Sequence, residues 1–270
     1  MIVFGDEAGA AELCSEFNLI HEPNVERFES KMPFVKCMFA KAQQISRHPY
    51  LCYTNSDIIL MKDFVVAFEK AAAWRQRFLM VARRWDVDIT QPIDFASENW
   101  EGDLRRLALK SGEHQVPEYV DFFLFSKGLY EEIPPLVVGY AYWDHWMVWR
   151  ALSKRTPVLD ASPAILPVHQ NHSYITTPER SKGSHTDRLS IRNRELSGNG
   201  KHLRSILDST HGMNSIGRIR RTPFRRQLES EAFLKLRQSF ADRTYWLRNL
   251  MGLRRQSSKK TCEDRPFSPH

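Results

Sequence analysis

Along its first 82 residues the chain alternates short apolar runs with stripes of apolar residues at helical spacing. Met1 to Phe4 reads as a strand, Ala8 to Phe17 as a helix and Leu19 to His21 as a short strand. Phe34, Met38, Ala42 and Ile45 recur at the helical period, and Tyr50-Leu51-Cys52-Tyr53 reads as a buried strand. Asp63 is placed to cap a helix carrying Phe64, Phe68 and Ala72, and Phe78 to Val81 reads as the next strand. Strands separated by helices predict the α/β class, with a mixed, mostly parallel central sheet flanked by helices.

Beyond residue 82 the pattern loosens into a polar, Trp-containing stretch through Gly112 and tightens again at the apolar run Val120 to Phe125. A turn at Pro134-Pro135, a Trp-rich helix from Trp143 to Leu152, and strands at Pro157 to Leu159 and Ile165 to Val168 follow. Ser, Thr, Gly, Arg and Asn become frequent from Thr176 to Gly200, which marks a loop or linker. The expected organisation is a domain over 1–175, a linker over 176–200 and a basic, partly helical extension over 201–270. Leu228, Ala232, Phe233, Leu236 and Phe240 share one helical face of that extension.

Charge sharpens the contrast between body and tail. Net charge is +7, and residues 180–270 hold 21 Lys+Arg against 8 Asp+Glu, leaving 18 against 24 elsewhere. A mildly acidic body argues against nucleic acid as the partner of the whole fold, whereas the tail suits an anionic membrane surface or a phosphorylated ligand. Arg243-Thr244-Tyr245-Trp246-Leu247-Arg248, with Leu250 and Met251, mixes basic and apolar residues as an interfacial helix does, and also suits a helix packed on the body. No stretch approaches the ~20 continuous apolar residues of a membrane span. The first residues lack the basic region and cleavage site of a signal peptide, so the expectation is a cytoplasmic chain able to touch the inner face of the membrane through its tail. Cys14, Cys37, Cys52 and Cys262 show no paired spacing, and the first three lie in apolar segments as buried thiols would.

Ligands of open α/β sheets bind beyond the carboxyl ends of the strands. Asn55-Ser56-Asp57 sits at such a place, between Leu51-Cys52-Tyr53-Thr54 and Ile58-Ile59-Leu60. A carboxylate between two apolar runs calls for a cation or a hydrogen-bond donor. A divalent ion that also takes diphosphate oxygens meets that need, and so does a simple Asx turn. Arg83-Arg84-Trp85-Asp86-Val87-Asp88 offers guanidinium forks for phosphate and acids for sugar hydroxyls, or the internal ion pairs of a surface loop. Tyr142-Trp143-Asp144-His145-Trp146 sets a carboxylate among aromatics, fit for a general base beside a stacked sugar or for a helix N-cap with core tryptophans. His169 and His172, three apart after a strand, suit metal ligation alongside Asp57, a phosphate contact or structural packing.

The order and spacing of several segments resemble a family of bacterial glycosyltransferases with the nucleotide-sugar-binding glycosyltransferase A fold. These are Phe4-Gly5-Asp6-Glu7-Ala8-Gly9, Cys52 to Leu60, Arg83 to Ile89, Asp121-Phe122-Phe123-Leu124-Phe125, Trp143-Asp144-His145-Trp146 and Val168 to Tyr174. The resemblance covers roughly residues 1–210. It implies a nucleotide-sugar donor held by a divalent ion, Mn²⁺ or Mg²⁺, with Asn55-Ser56-Asp57 in the place of the D-x-D element and Asp57 as its last acid. It also implies that His169 or His172 completes the metal site, and that Asp144 is the catalytic base. Asn55, Arg83, Arg84, Trp85, Asp86, Asp88, Asp121 and Trp143 then surround the donor and substrate. Two departures stand out: Asn55 replaces the first D-x-D acid, and the sequence opens at what matches the second strand of such a domain. The expected activity is transfer of a sugar from a nucleotide-diphosphate donor to a saccharide or lipid-linked acceptor. The alternative is a non-catalytic module of the same fold that holds a nucleotide or glycan.

Overall fold

In the computed structural model, which describes residues 1–29, 32–172, 185 and 187–223, the chain opens on β1 (Ile2–Phe4), α1 (Ala10–Glu16) and β2 (Ile20–Glu22). β1 and β2 pair in parallel, and β3 (Arg27–Phe28) and β4 (Met32–Pro33) pair antiparallel ahead of α2 (Val35–Ile45). Next come β5 (Tyr50–Thr54), β6 (Ile58–Ile59), α3 (Lys62–Trp74), β7 (Leu79–Val81) and β8 (Trp85–Val87). They are followed by α4 (Trp100–Ser111), β9 (Glu113–His114), β10 (Phe122–Ser126) and α5 (Trp143–Ser153). The described fold ends with β11 (Val158–Asp160), β12 (Val168–Gln170), α6 (Arg188–Leu196), β13 (His211–Met213) and β14 (Ile219–Arg221).

The main sheet has six strands in the order β14-β13-β11-β7-β10-β5. β7, β11 and β13 pair in parallel, β10 lies antiparallel between β5 and β7, and β14 is antiparallel at the far edge. The α/β class holds, while the mostly parallel pairing needs correction: β5, β7, β11 and β13 point one way, interrupted by β10. The chain reaches β10 through the excursion β8, α4, β9 and enters it where β5 ends, since Phe122 pairs with Thr54.

Side-chain alternation along the strands builds two cores. Leu79, Val81, Phe123 and Phe125 pack with Val35 and Phe39 of α2 and with Trp146 and Met147 of α5. Phe78, Met80, Phe122 and Leu124 pack with Phe64, Ala67, Phe68 and Ala71 of α3. Fully burying one such large apolar side chain contributes about 1.5–3 kcal/mol, which fixes the three-layer arrangement. A second sheet, ordered β6-β12-β8-β9, is covered by Leu104 and Ala108 of α4 against Val87 and Val168.

Several expectations change here. The polar stretch after residue 82 contains β8 and the 12-residue α4, whose buried stripe is only Leu104 and Ala108. Asp63 is not a cap; Met61 holds that position, and Asp63 Oδ2 accepts from Leu166 N at 3.0 Å and pairs with Arg105 at 2.6 Å. The segment expected as a linker holds α6, capped by Asp187, whose carboxylate accepts from Ser190 N. Buried Asn193 clamps that helix to the body, donating to Val137 O and Ala141 O and accepting from Val137 N. β13 and β14, read as part of a basic extension, complete the main sheet. Cys14 is buried, Cys37 half-buried and Cys52, on the edge strand β5, exposed; all three are free thiols. The helical face from Leu228 to Phe240, the basic segment Arg243 to Arg248 and Cys262 lie outside the described residues. No helix among the described residues is long and apolar enough to cross a membrane.

Candidate metal centre

Strand register builds the site. β12 pairs antiparallel with β6 and parallel with β8, which sets His169 opposite Ile58 on one side and Asp86 on the other. Asp57 precedes Ile58 and so arrives beside His169; Gln170 N donates to Asp57 O at 2.9 Å and fixes the turn. Asp57 Oδ2 lies 3.1 Å from His172 Nε2 and 3.3 Å from His169 Nε2. Ligands held about 2.0–2.2 Å from one ion stand about 3.0–3.6 Å apart, so these separations match edges of a coordination polyhedron. Asp57 Oδ1 is buried with no hydrogen-bond partner among the described residues, an acceptor that a cation would satisfy. Asp57, His169 and His172 thus form a cluster able to hold a metal ion.

Around it runs a chain of charged contacts. His169 Nδ1 lies 3.2 Å from Asp86 Oδ1, and Asp86 is paired with Arg84 Nε at 2.7 Å. Arg84, buried at 7% exposure, also meets Asp121 Oδ2 at 2.8 Å and lies over the Tyr119 ring. Asn55 Nδ2 donates to Asp121 Oδ1 at 2.9 Å, and Tyr53 OH donates to Asn55 Oδ1 at 3.0 Å. Asn55 therefore faces Asp121 and stands outside the metal cluster.

These neighbours shift the titrations. Burial disfavours charge on His169, yet the Asp57 and Asp86 carboxylates at its two nitrogens outweigh it and lift the imidazole to about 9. Burial pushes Asp57 and Asp86 upward, but His169, joined by His172 for Asp57 and Arg84 for Asp86, holds both below the usual carboxylate range. Asp121 rises to about 6 through burial, opposed by Arg84 and reinforced by the nearby charge of Asp144.

Asp144 lies in the first turn of α5, and its negative charge adds to the upward push on both Asp121 and Tyr53. It is not the N-cap: Tyr142 occupies that position in the left-handed region, φ 83°, and no side chain caps the helix. The other anticipated residues diverge. Trp143 is 5% exposed and packs on Tyr53 and Phe123, so its ring offers no face to a sugar. Arg83 turns aside, donating through Nε to Gln115 O at 2.5 Å. Trp85 stacks on His114 at 4.7 Å, and Asp88 accepts from Asn171 Nδ2 at 2.8 Å. Tyr53 and Gln170 were not singled out from sequence; their adjacency to Asn55 and His169 was the only signal. Comparison with protein-family models and with curated proteins finds no match, so the reading of this site rests on its own geometry and chemistry.

Proposed function

We propose that the chain is a metal-dependent glycosyltransferase that moves a sugar from a nucleotide-diphosphate donor to a saccharide or lipid-linked acceptor. The observation that carries this is the Asp57, His169, His172 cluster, set just beyond the carboxyl end of β5 in an α/β sheet. Two imidazoles beside one carboxylate favour Mn²⁺ over Mg²⁺, which prefers an all-oxygen shell. A bound ion supplies Lewis-acid neutralisation of the leaving nucleoside diphosphate. Asp86 and Asp121 are both paired with Arg84, and Asp144, whose charge is felt by Asp121, is the carboxylate proposed to take the acceptor proton.

The test is thermal unfolding with UDP, GDP, CMP and dTDP, each with and without Mn²⁺, because a ligand specific to the folded state raises its stability. One nucleotide is expected to raise Tm only when Mn²⁺ is present, and Asp57→Ala to lose that shift. Asp144→Asn should keep the shift and lose about 10²- to 10⁴-fold in transfer from the matching nucleotide sugar. Absence of a metal-dependent shift with every pair refutes the proposal; a shift without turnover makes the chain a binding module of the same fold.

A further inference from the structure

The outer face of α3 and the β13–β14 hairpin form one basic surface on the body of the protein. Lys70 Nζ donates to Ile216 O at 2.8 Å, tying the helix to the hairpin turn. At the end of α3, Trp74 meets His211 of β13 edge-on with ring centroids 4.7 Å apart, and the Arg75 guanidinium lies 5.0 Å from the Trp74 ring centre. Burial lowers the His211 pKa, and the charges of Arg75 and Arg221 lower it further, so both cations act on the same ring. Lys70, Arg75 and Arg221 are exposed, and none of them forms an ion pair with a carboxylate among the described residues. Few acids are at hand: residues 209–223 hold no Asp or Glu, and of the two acids in α3, Asp63 is taken by Arg105, which leaves Glu69.

We propose that this face docks on an anionic lipid surface, with the Ile216 turn entering the headgroup layer and Lys70, Arg75 and Arg221 meeting lipid phosphates. The apolar residues decide for lipid. Gly217 N–H closes a four-residue turn on Asn214 O at 2.8 Å, and Ile216 stands at its third position, 62% exposed. Gly, Asn, Asp and Ser ordinarily fill such turns, and an isoleucine held out in water there adds nothing to folding. Val65 and Val66, exposed about one turn before Lys70 on α3, enlarge the apolar area. Aliphatic side chains among cations are the composition of an interfacial segment, whereas single-stranded nucleic acid is met by aromatic rings that stack on bases. Charge on β14 has a simpler reason of its own, since charged side chains keep an edge strand from pairing. That reason does not extend to Lys70 and Arg75 on α3 or to the isoleucine in the turn. The sequence leaving β14 keeps the same sign, with 11 Lys+Arg against 5 Asp+Glu over residues 224–270.

The test is co-sedimentation of the full chain with vesicles of phosphatidylcholine alone and of phosphatidylcholine with phosphatidylglycerol in equal parts. Neither nucleotide nor Mn²⁺ is present, so the result is independent of the transferase reading. The chain is expected to bind the anionic vesicles and to release them as salt rises. Lys70→Gln, Arg75→Gln and Arg221→Gln together should weaken that binding about 100-fold, at about fivefold per cation near the surface. Lys110→Gln, on the exposed side of α4, should leave it unchanged. Ile216→Ser keeps every charge and should weaken it about threefold or more with the salt dependence intact; it also tests the surface should the triple variant fail to fold. Absence of vesicle binding overturns the proposal. Binding that Ile216→Ser and the triple variant leave unchanged overturns it too, and assigns lipid contact to the basic tail. A single-stranded oligonucleotide that binds more tightly than the vesicles, loses affinity in the triple variant and ignores Ile216→Ser replaces lipid with nucleic acid as the partner.

Discussion

His169 has a carboxylate at each ring nitrogen, Asp57 at Nε2 and Asp86 at Nδ1. In the proposed metal site Asp86 would position a ligand without binding the ion: its carboxylate, 3.2 Å from Nδ1, favours a proton on that nitrogen and leaves Nε2 to coordinate. Asp86→Ala is expected to weaken Mn²⁺ binding about 10- to 100-fold, with Asp86→Asn losing less because it keeps an acceptor, read by Mn²⁺ titration. The raised pKa of His169 sets a pH dependence with a definite sign. In metal-free protein its stabilisation is complete below the unfolded-state value of about 6.5 and is lost as pH rises through about 9. Asp57 and Asp86 act oppositely, losing their contribution as pH falls through their lowered values. Metal must displace the His169 proton, so the Mn²⁺-induced rise in Tm should grow from pH 6.5 to 8.5, measured by thermal scans in matched ionic strength; a flat profile would remove His169 from the ligand set. Asp57, His169 and His172 were legible in the sequence because each follows an apolar strand. The Arg84 contact with Asp121 was not, since residues 37 apart in the chain meet only through strand register.

Helices and strands with a wide apolar stripe were legible as elements. The Phe34, Met38, Ala42, Ile45 spacing returned as α2 and its N-cap, and the run Val120 to Phe125 overlaps β10, buried on both faces. α4 was obscured because it buries only Leu104 and Ala108 and carries Gly102 among its charges. α6 was obscured more thoroughly, since its inward face is Ser190 and Asn193 and a hydrophobic period cannot report a polar interface. Such a helix is held chiefly by hydrogen bonds, with Leu196 at its end packed against the core. Asn193→Ala should therefore cost about 3 kcal/mol, because it strands Val137 N–H and the Val137 and Ala141 carbonyls in a buried place, and urea unfolding measures it. A cost below about 0.5 kcal/mol, the range of ordinary surface changes, would show that α6 is docked by something else.

On the scale of the whole molecule, the site lies on the seam between the two sheets. β5 belongs to the six-stranded sheet and β6 to the four-stranded one, and the chain crosses between them at residues 55–57. It crosses again between β7 and β8, where Arg84 pairs with Asp121 beside the first sheet and with Asp86 in the second. Arg84→Met leaves two largely buried carboxylates without their cation and should destabilise the protein by about 3–5 kcal/mol in urea unfolding; a near-neutral result would mean the seam is held by apolar contact alone. The layout also bears on how the protein changes over generations. The groups of the candidate metal cluster and its surroundings come from short crossings around residues 55–57, 83–86, 121 and 169–172, while the apolar side chains that keep each sheet folded lie mainly to either side. Changes at the exposed positions of these crossings therefore alter the site's chemistry with little disturbance of either core, whereas the buried Arg84 ties site and fold together.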